Sequence, residues 1–122
     1  MNKLTPNLFV HKIEDVLPFY EKLGFTRTAE VKHGDHLGFV ILACGKAELM
    51  LQTFASIAED LPPIAAGSYR TMLYIEVDDL APFRAKLEEL VIPERTTNYG
   101  ARELIATDPA GNVVAISHFE KK

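Results

Sequence analysis

Few residues in this 122-residue chain are equipped for chemistry, and their spacing limits what that chemistry would be. Ser117 and the single Cys44 are the candidate nucleophiles, yet no histidine or carboxylate is placed by sequence to activate either one. Of the four histidines, His33 and His36 flank Asp35 in "VKHGDHLG", the one local group with metal-like spacing. That group falls on a glycine-containing turn between strands, where a solvated hairpin is the simpler reading. His11 lies at a strand–helix corner, and His118 shares the core-side parity of Val114 and Ile116. Glu48, Glu76 and Glu103 include possible general bases, although orienting a ligand is the more ordinary task of such carboxylates. There is no Gly-rich phosphate loop and no dinucleotide fingerprint.

The elements that must position these residues come in two copies. Val10, Ile13, Val16, Tyr20 and Leu23 match Val77, Leu80, Phe83, Leu87 and Leu90 at a constant offset, each set at helical spacing after a short strand. "ELMLQTF" (48–54) matches "VVAISHF" (113–119), each following a glycine turn at Gly45 or Gly111. The spacing predicts strands over 4–10, 26–32, 37–44 and 47–54 with a helix over 14–23 closed by Gly24 as a left-handed cap. The second copy predicts strands over 71–77, 94–98, 102–107 and 112–119. Its helix runs over 80–90, with Asp79 as N-cap and Pro82 in the first turn. Asp108-Pro109-Ala110-Gly111-Asn112 reads as the turn before the last strand. The expected organisation is a single domain over 1–122 made of two repeats, about 3–54 and 70–120. The Pro- and Gly-bearing stretch "ASIAEDLPPIAAGS" serves as linker, at about 55–69. The fold class is α+β: two modules, each a four-stranded sheet with one helix-covered face, which can wrap a shared cavity.

Bulk properties narrow the partners. A net charge of −4 argues against nucleic acid and against an anionic membrane surface. No apolar run is long enough to span a bilayer, and the first ten residues lack the apolar core of a signal peptide. One cysteine excludes an internal disulfide, so a cytoplasmic protein is expected. Cys44 itself, at the end of "LGFVILAC", reads as a small buried hydrophobe.

Strand alternation sorts the side chains. Leu8, Val10, Leu49, Leu51, Leu73, Ile75, Val77, Val114 and Ile116 belong to the helix side. Thr5, Asn7, Phe9, Glu48, Met50, Gln52, Met72, Tyr74, Glu76, Ala115 and Ser117 face the other way, into a cavity that the two modules share. Aromatics, amides and carboxylates mixed with apolar groups suit a binding cleft better than a structural core.

"VHKIEDVLPFYEKLGF", "YIEVDDLAPFRAKLEEL" and "DPAGNVVAI" together resemble the vicinal-oxygen-chelate superfamily, which includes glyoxalase I, extradiol dioxygenases, fosfomycin-resistance enzymes and bleomycin-resistance proteins. The resemblance spans essentially the whole chain and implies paired βαβββ modules forming a curved, eight-stranded, cleft-shaped sheet with the helices on its outer face. In metal-dependent members it implies His and Glu ligands on the inner faces of four strands. The matching positions here are Thr5, Met50, Met72 and Ala115, none of which can replace an imidazole or a carboxylate. The chain is therefore expected to hold no metal, to use no cofactor and to have no catalytic residues.

The nearest likeness is to the metal-free bleomycin-resistance group. "NYGARELIATDPAGN" resembles that group's aromatic-Gly, Arg-Glu, "DPAGN" pattern, with one extra residue between Gly100 and Arg102. No tryptophan is present, so Phe9, Tyr74 and Tyr99 are the expected stacking surfaces, with Phe39 and Phe54 unassigned to a face. The resemblance implies a homodimeric, non-catalytic binder of a small aromatic compound, in the manner of antibiotic sequestration. Asn7, Phe9, Glu48, Met50, Met72, Tyr74, Glu76, Tyr99, Arg102 and Glu103 would line its site. The competing reading is a metal-dependent glyoxalase- or dioxygenase-type lyase or oxidoreductase with unconventional ligands.

Overall fold

A computed structural model describes residues 5–60, 62–65, 71–97 and 100–120. The chain divides into two compact units, Met1–Tyr69 and Arg70–Lys122. In the first unit, β1 (Asn7–Val10) leads into α1 (Ile13–Lys22), followed by β2 (Thr26–His33), β3 (His36–Cys44) and β4 (Ala47–Thr53). The sheet order is β1-β4-β3-β2, with β1 parallel to β4 and the rest antiparallel. The second unit repeats the plan with β5 (Met72–Glu76), α4 (Ala81–Lys86), β6 (Ile92–Thr96), β7 (Ala101–Thr107) and β8 (Val113–Phe119), in the order β5-β8-β7-β6. Each unit is thus a βαβββ module, and the α+β class read from the repeat stands.

One face of each sheet is sealed by apolar packing. Leu8, Val10, Val40, Leu42, Leu49 and Leu51 are buried, as are Ile13, Val16, Leu17 and Tyr20 on the apolar stripe of α1. Burial of each such side chain contributes about 1.5–3 kcal/mol, so this layer fixes which strand face is left for function. Gly24 closes α1 as expected, at φ 109°. Its N–H donates to Glu21 O and the Phe25 N–H to Tyr20 O, while the Tyr20 and Phe25 rings meet edge-on at 6.0 Å. That is a Schellman ending with its hydrophobic contact. In the second module Leu73, Leu104, Ala106, Val114 and Ile116 are buried together with Leu80 and Leu87, which bracket α4.

Several expectations need correction. The second helix ends at Lys86, not near 90, because Leu87 is already extended at ψ 98°. Glu88 and Glu89 would set two negative charges on the carbonyl end of a longer helix, where the dipole disfavours them. The last turn instead keeps Arg84 and Lys86. Asp79 is not the N-cap residue; Leu80 is, although the Asp79 carboxylate still accepts the Ala81 N–H at 3.0 Å. Ile75 is only half-buried, and Val77 lies just beyond the end of β5. Cys44 is exposed. It shares the parity of Leu42 but pairs with Ala47 at the mouth of the β3–β4 turn, at the margin of the apolar layer. The stretch read as linker carries two short helices, α2 (Phe54–Asp60) and α3 (Pro62–Ala65), with Ile57 of α2 fully buried. No helix among the described residues is long and apolar enough to cross a membrane.

Candidate functional site

The face of each sheet opposite its helix-side core carries the candidate site side chains. In the first module, strand register puts Asn7 beside Met50, Phe9 beside Gln52, and Phe39 across from Gln52. Phe39, which alternation alone left unplaced, therefore shares the face of Phe9. Polar groups on this face are ordered by one another. Thr5 Oγ1 donates to Glu48 Oε1 at 2.9 Å, Asn7 Nδ2 to Gln52 Oε1 at 2.9 Å, and Gln52 Nε2 to Ser56 Oγ at 3.0 Å. The amide relay has an open end: Asn7 Oδ1 is shielded from solvent and accepts no hydrogen bond. A shielded amide oxygen without a donor is unfavourable by about 1–3 kcal/mol, so this end of the row is suited to a ligand donor. Phe54 at the start of α2 sits edge-on to Phe9 at 6.4 Å and 4.7 Å from the His11 ring. Alongside, a cavity of about 440 Å³ is lined by Val31, Phe39, Ser56, Glu59 and Asp60 among others.

In the second module the corresponding face is organised around Glu103. Register aligns Tyr74 with Ala115, Ala115 with Ile105, and Ser117 with both Glu76 and Glu103. Glu103 is only 1% exposed. Its Oε2 accepts the Tyr74 hydroxyl at 2.8 Å and its Oε1 accepts Arg95 Nε at 2.9 Å. The Tyr74 hydroxyl also lies 2.8 Å from Ser117 Oγ. A buried carboxylate is tolerable only with such partners. Tyr74 itself remains 47% exposed and Met72 54%, so an aromatic ring anchored at its hydroxyl and an adjacent thioether stand open. Arg95 was not anticipated as part of this group. A register shift between Ile92 and Arg95 puts both residues on the face of Ile105 and Glu103, against simple alternation.

The structure thus brings Asn7, Phe9, Glu48 and Met50 together on one face of the first sheet, and Met72, Tyr74, Glu76 and Glu103 on one face of the second. Arg102 is set apart from them. It pairs across β7–β8 with His118, on the face opposite Glu103, and its guanidinium reaches Glu94 Oε2 at 2.8 Å. Arg84 of α4 holds the other oxygen of Glu94 at 2.6 Å. Hydrogen bonds from Arg84 and then Arg102 lower the Glu94 carboxyl to about 2. This network braces α4 against β6 and β7. Tyr99 lies outside the described residues.

The four positions that the resemblance assigns to metal ligands carry no imidazole or carboxylate. Thr5 is committed to Glu48, Met50 sits beside Asn7, Met72 is exposed, and Ala115 is fully buried between Tyr74 and Ile105. A hydroxyl, two thioethers and a methyl do not form a donor set for a hard divalent ion. The residues present do not fit the metal that the fold family implies. Among the described residues, no three His, Cys, Asp or Glu groups elsewhere are gathered to hold one. His33 instead contacts Glu59 at 2.6 Å, and His118 Nδ1 lies 3.1 Å from Val77 O.

Two βαβββ modules, each with one apolar-sealed face and one polar-aromatic face, define a class of fold before any relative is considered. The chain belongs to the Glyoxalase/Bleomycin resistance protein/Dioxygenase superfamily, whose model matches residues 3–116. Solved structures agree on the fold. A glyoxalase/bleomycin resistance protein/dioxygenase from Nocardioides is 21% identical, with a TM-score of 0.73 over 99% of this chain and 86% of its own. A bleomycin-binding protein complexed with bleomycin is 22% identical, with a TM-score of 0.66 over 98% of this chain and all of its own. A lactoylglutathione lyase from Agrobacterium tumefaciens is 18% identical, with a TM-score of 0.71 over 97% and 94%. Among curated proteins there is no match.

Proposed function

We propose that the protein is a metal-independent binder of a small aromatic compound, acting by sequestration, with a bleomycin-type antibiotic as the leading ligand class. What supports this reading is that Thr5, Met50, Met72 and Ala115 stand where the resemblance puts metal ligands, on faces that display aromatic rings. Phe9, Phe39 and the half-exposed Tyr74 supply flat surface for stacking. Asn7, Glu48, Glu76 and Glu103 supply directional polar groups, and Met50 and Met72 supply adaptable apolar contact. Likeness to a protein solved with bleomycin supports the ligand class. Tyr99 and Arg102 belong to the proposal through the family pattern alone. A cytoplasmic homodimer is part of the same reading, with the ligand held between subunits, so that a monomeric variant loses binding.

A thermal-shift panel of metal-free bleomycin, intercalators and aromatic metabolites tests it in chelator-containing buffer. A true ligand at 100-fold excess over its Kd adds about 2.7 kcal/mol of stability. Flat results across the panel, together with stoichiometric zinc, iron or manganese in protein purified without chelator, would return the lyase or oxidoreductase reading.

A further inference from the structure

A second cavity in the first module adjoins the one beside Phe39 and Ser56, His33 lining both. It has a volume of about 230 Å³ and sits where β1 meets α1, lined by His11, Lys12, Glu14, His33, His36 and Thr53 among others. Glu14 is held there by the β3 backbone, for its Oε2 accepts the Leu37 N–H at 2.9 Å and lies 3.8 Å from His36 Nδ1. The Leu37 N–H is the main reason its carboxyl lies below the ordinary range, so the group is ionised at neutral pH. Its other oxygen, Oε1, is shielded from solvent and accepts no hydrogen bond within the protein. An ionised oxygen in that state calls for a donor, and an ammonium group meets the demand best.

The opposite charge is present as well. Lys12 lines the same cavity and is the N-cap residue of α1, where no side chain caps the helix. Its ammonium and the helix dipole both favour an anionic group at that end. Gly38 helps shape this end of the hairpin: a Cβ there would lie 2.5 Å from the Cβ of His33. The absence of that methyl lets His33 lie against the strand and reach Glu59.

We propose that this cavity binds a small zwitterion of amino-acid size, its ammonium on the Glu14 carboxylate and its carboxylate toward Lys12 and the start of α1. None of the residues proposed to hold the aromatic ligand lines this cavity, although His33 borders both hollows, and its occupancy does not depend on that assignment.

The test is a ¹⁵N-resolved NMR titration of the whole chain with glycine, read at the Leu37 amide that rests on the Glu14 carboxylate. The expected result is a saturable shift with a Kd of about 1 mM or tighter. N-acetylglycine, which lacks the ammonium, gives none, and glycine methyl ester binds at least tenfold more weakly. Glu14→Gln retains an acceptor for Leu37 and loses at least tenfold in glycine affinity. Lys12→Ala, an exposed change that leaves the Glu14–Leu37 bond in place, loses glycine affinity while leaving the weak ester binding unchanged. An unresponsive Leu37 amide, equal binding of N-acetylglycine, or unchanged glycine affinity in Glu14→Gln overturns the proposal and assigns the cavity to water.

Discussion

Burying a carboxylate at Glu103 commits Tyr74 and Arg95 to one geometry, since each donates to a different oxygen. Glu103→Ala should lower stability by about 1–3 kcal/mol, read as the urea midpoint, because the tyrosine hydroxyl loses an ionised acceptor. Arg95 is half-exposed and recovers water, which holds the loss below that of a fully enclosed pair. Glu103→Gln should restore part of it. Glu94 has its folded carboxyl lowered to about 2 from an ordinary 4.5, so its stabilising effect is full above the ordinary value and fades as pH falls toward 2. Glu14 shifts in the same direction. Thermal melts across that acid limb should fall steeply for the native chain and more gently for Glu94→Gln; identical slopes would remove Glu94 from the account. Legibility at this scale was uneven. Tyr74 follows from alternation, whereas Arg102 and Glu103 enter together through the family's Arg-Glu pattern. On a strand, adjacency is what separates two side chains.

Elements show the same boundary between local and long-range information. The Gly24 cap and the Asp108 turn were readable because their chemistry is local: Asp108 Oδ1 accepts the N–H groups of Ala110 and Asn112 at 2.9 and 2.8 Å. The register shift in β6 and the facing of Phe39 depend on cross-strand pairing, which no window of sequence contains. The shortened α4 was legible only in part, through Glu88 and Glu89. Gly38→Ala makes an element-scale prediction. The added methyl meets the Cβ of His33 at 2.5 Å, and overpacking of that kind costs about 1–3 kcal/mol. Chemical shifts of His33 and Glu59 should move with it as their 2.6 Å contact opens. If the Gly38→Ala protein is as stable as the native chain, with those shifts unchanged, the hairpin yields freely and the close approach carries no weight.

For the whole molecule, the internal repeat was the most informative signal, because both modules bury equivalent rows against equivalent helices. What the repeat does not encode is the ligand. The strands keep the plan of the superfamily, while the positions that the resemblance assigns to metal ligands carry Thr5, Met50, Met72 and Ala115. Removing flat surface should then weaken capture without unfolding the chain. Tyr74→Ala is expected to reduce affinity for an aromatic ligand at least tenfold, corresponding to about 1.4 kcal/mol. The most direct test is calorimetric titration of chelator-treated protein with metal-free bleomycin. Saturable binding that is unchanged when zinc or manganese is restored is the predicted result. Binding that appears only after the ion is returned would contradict it.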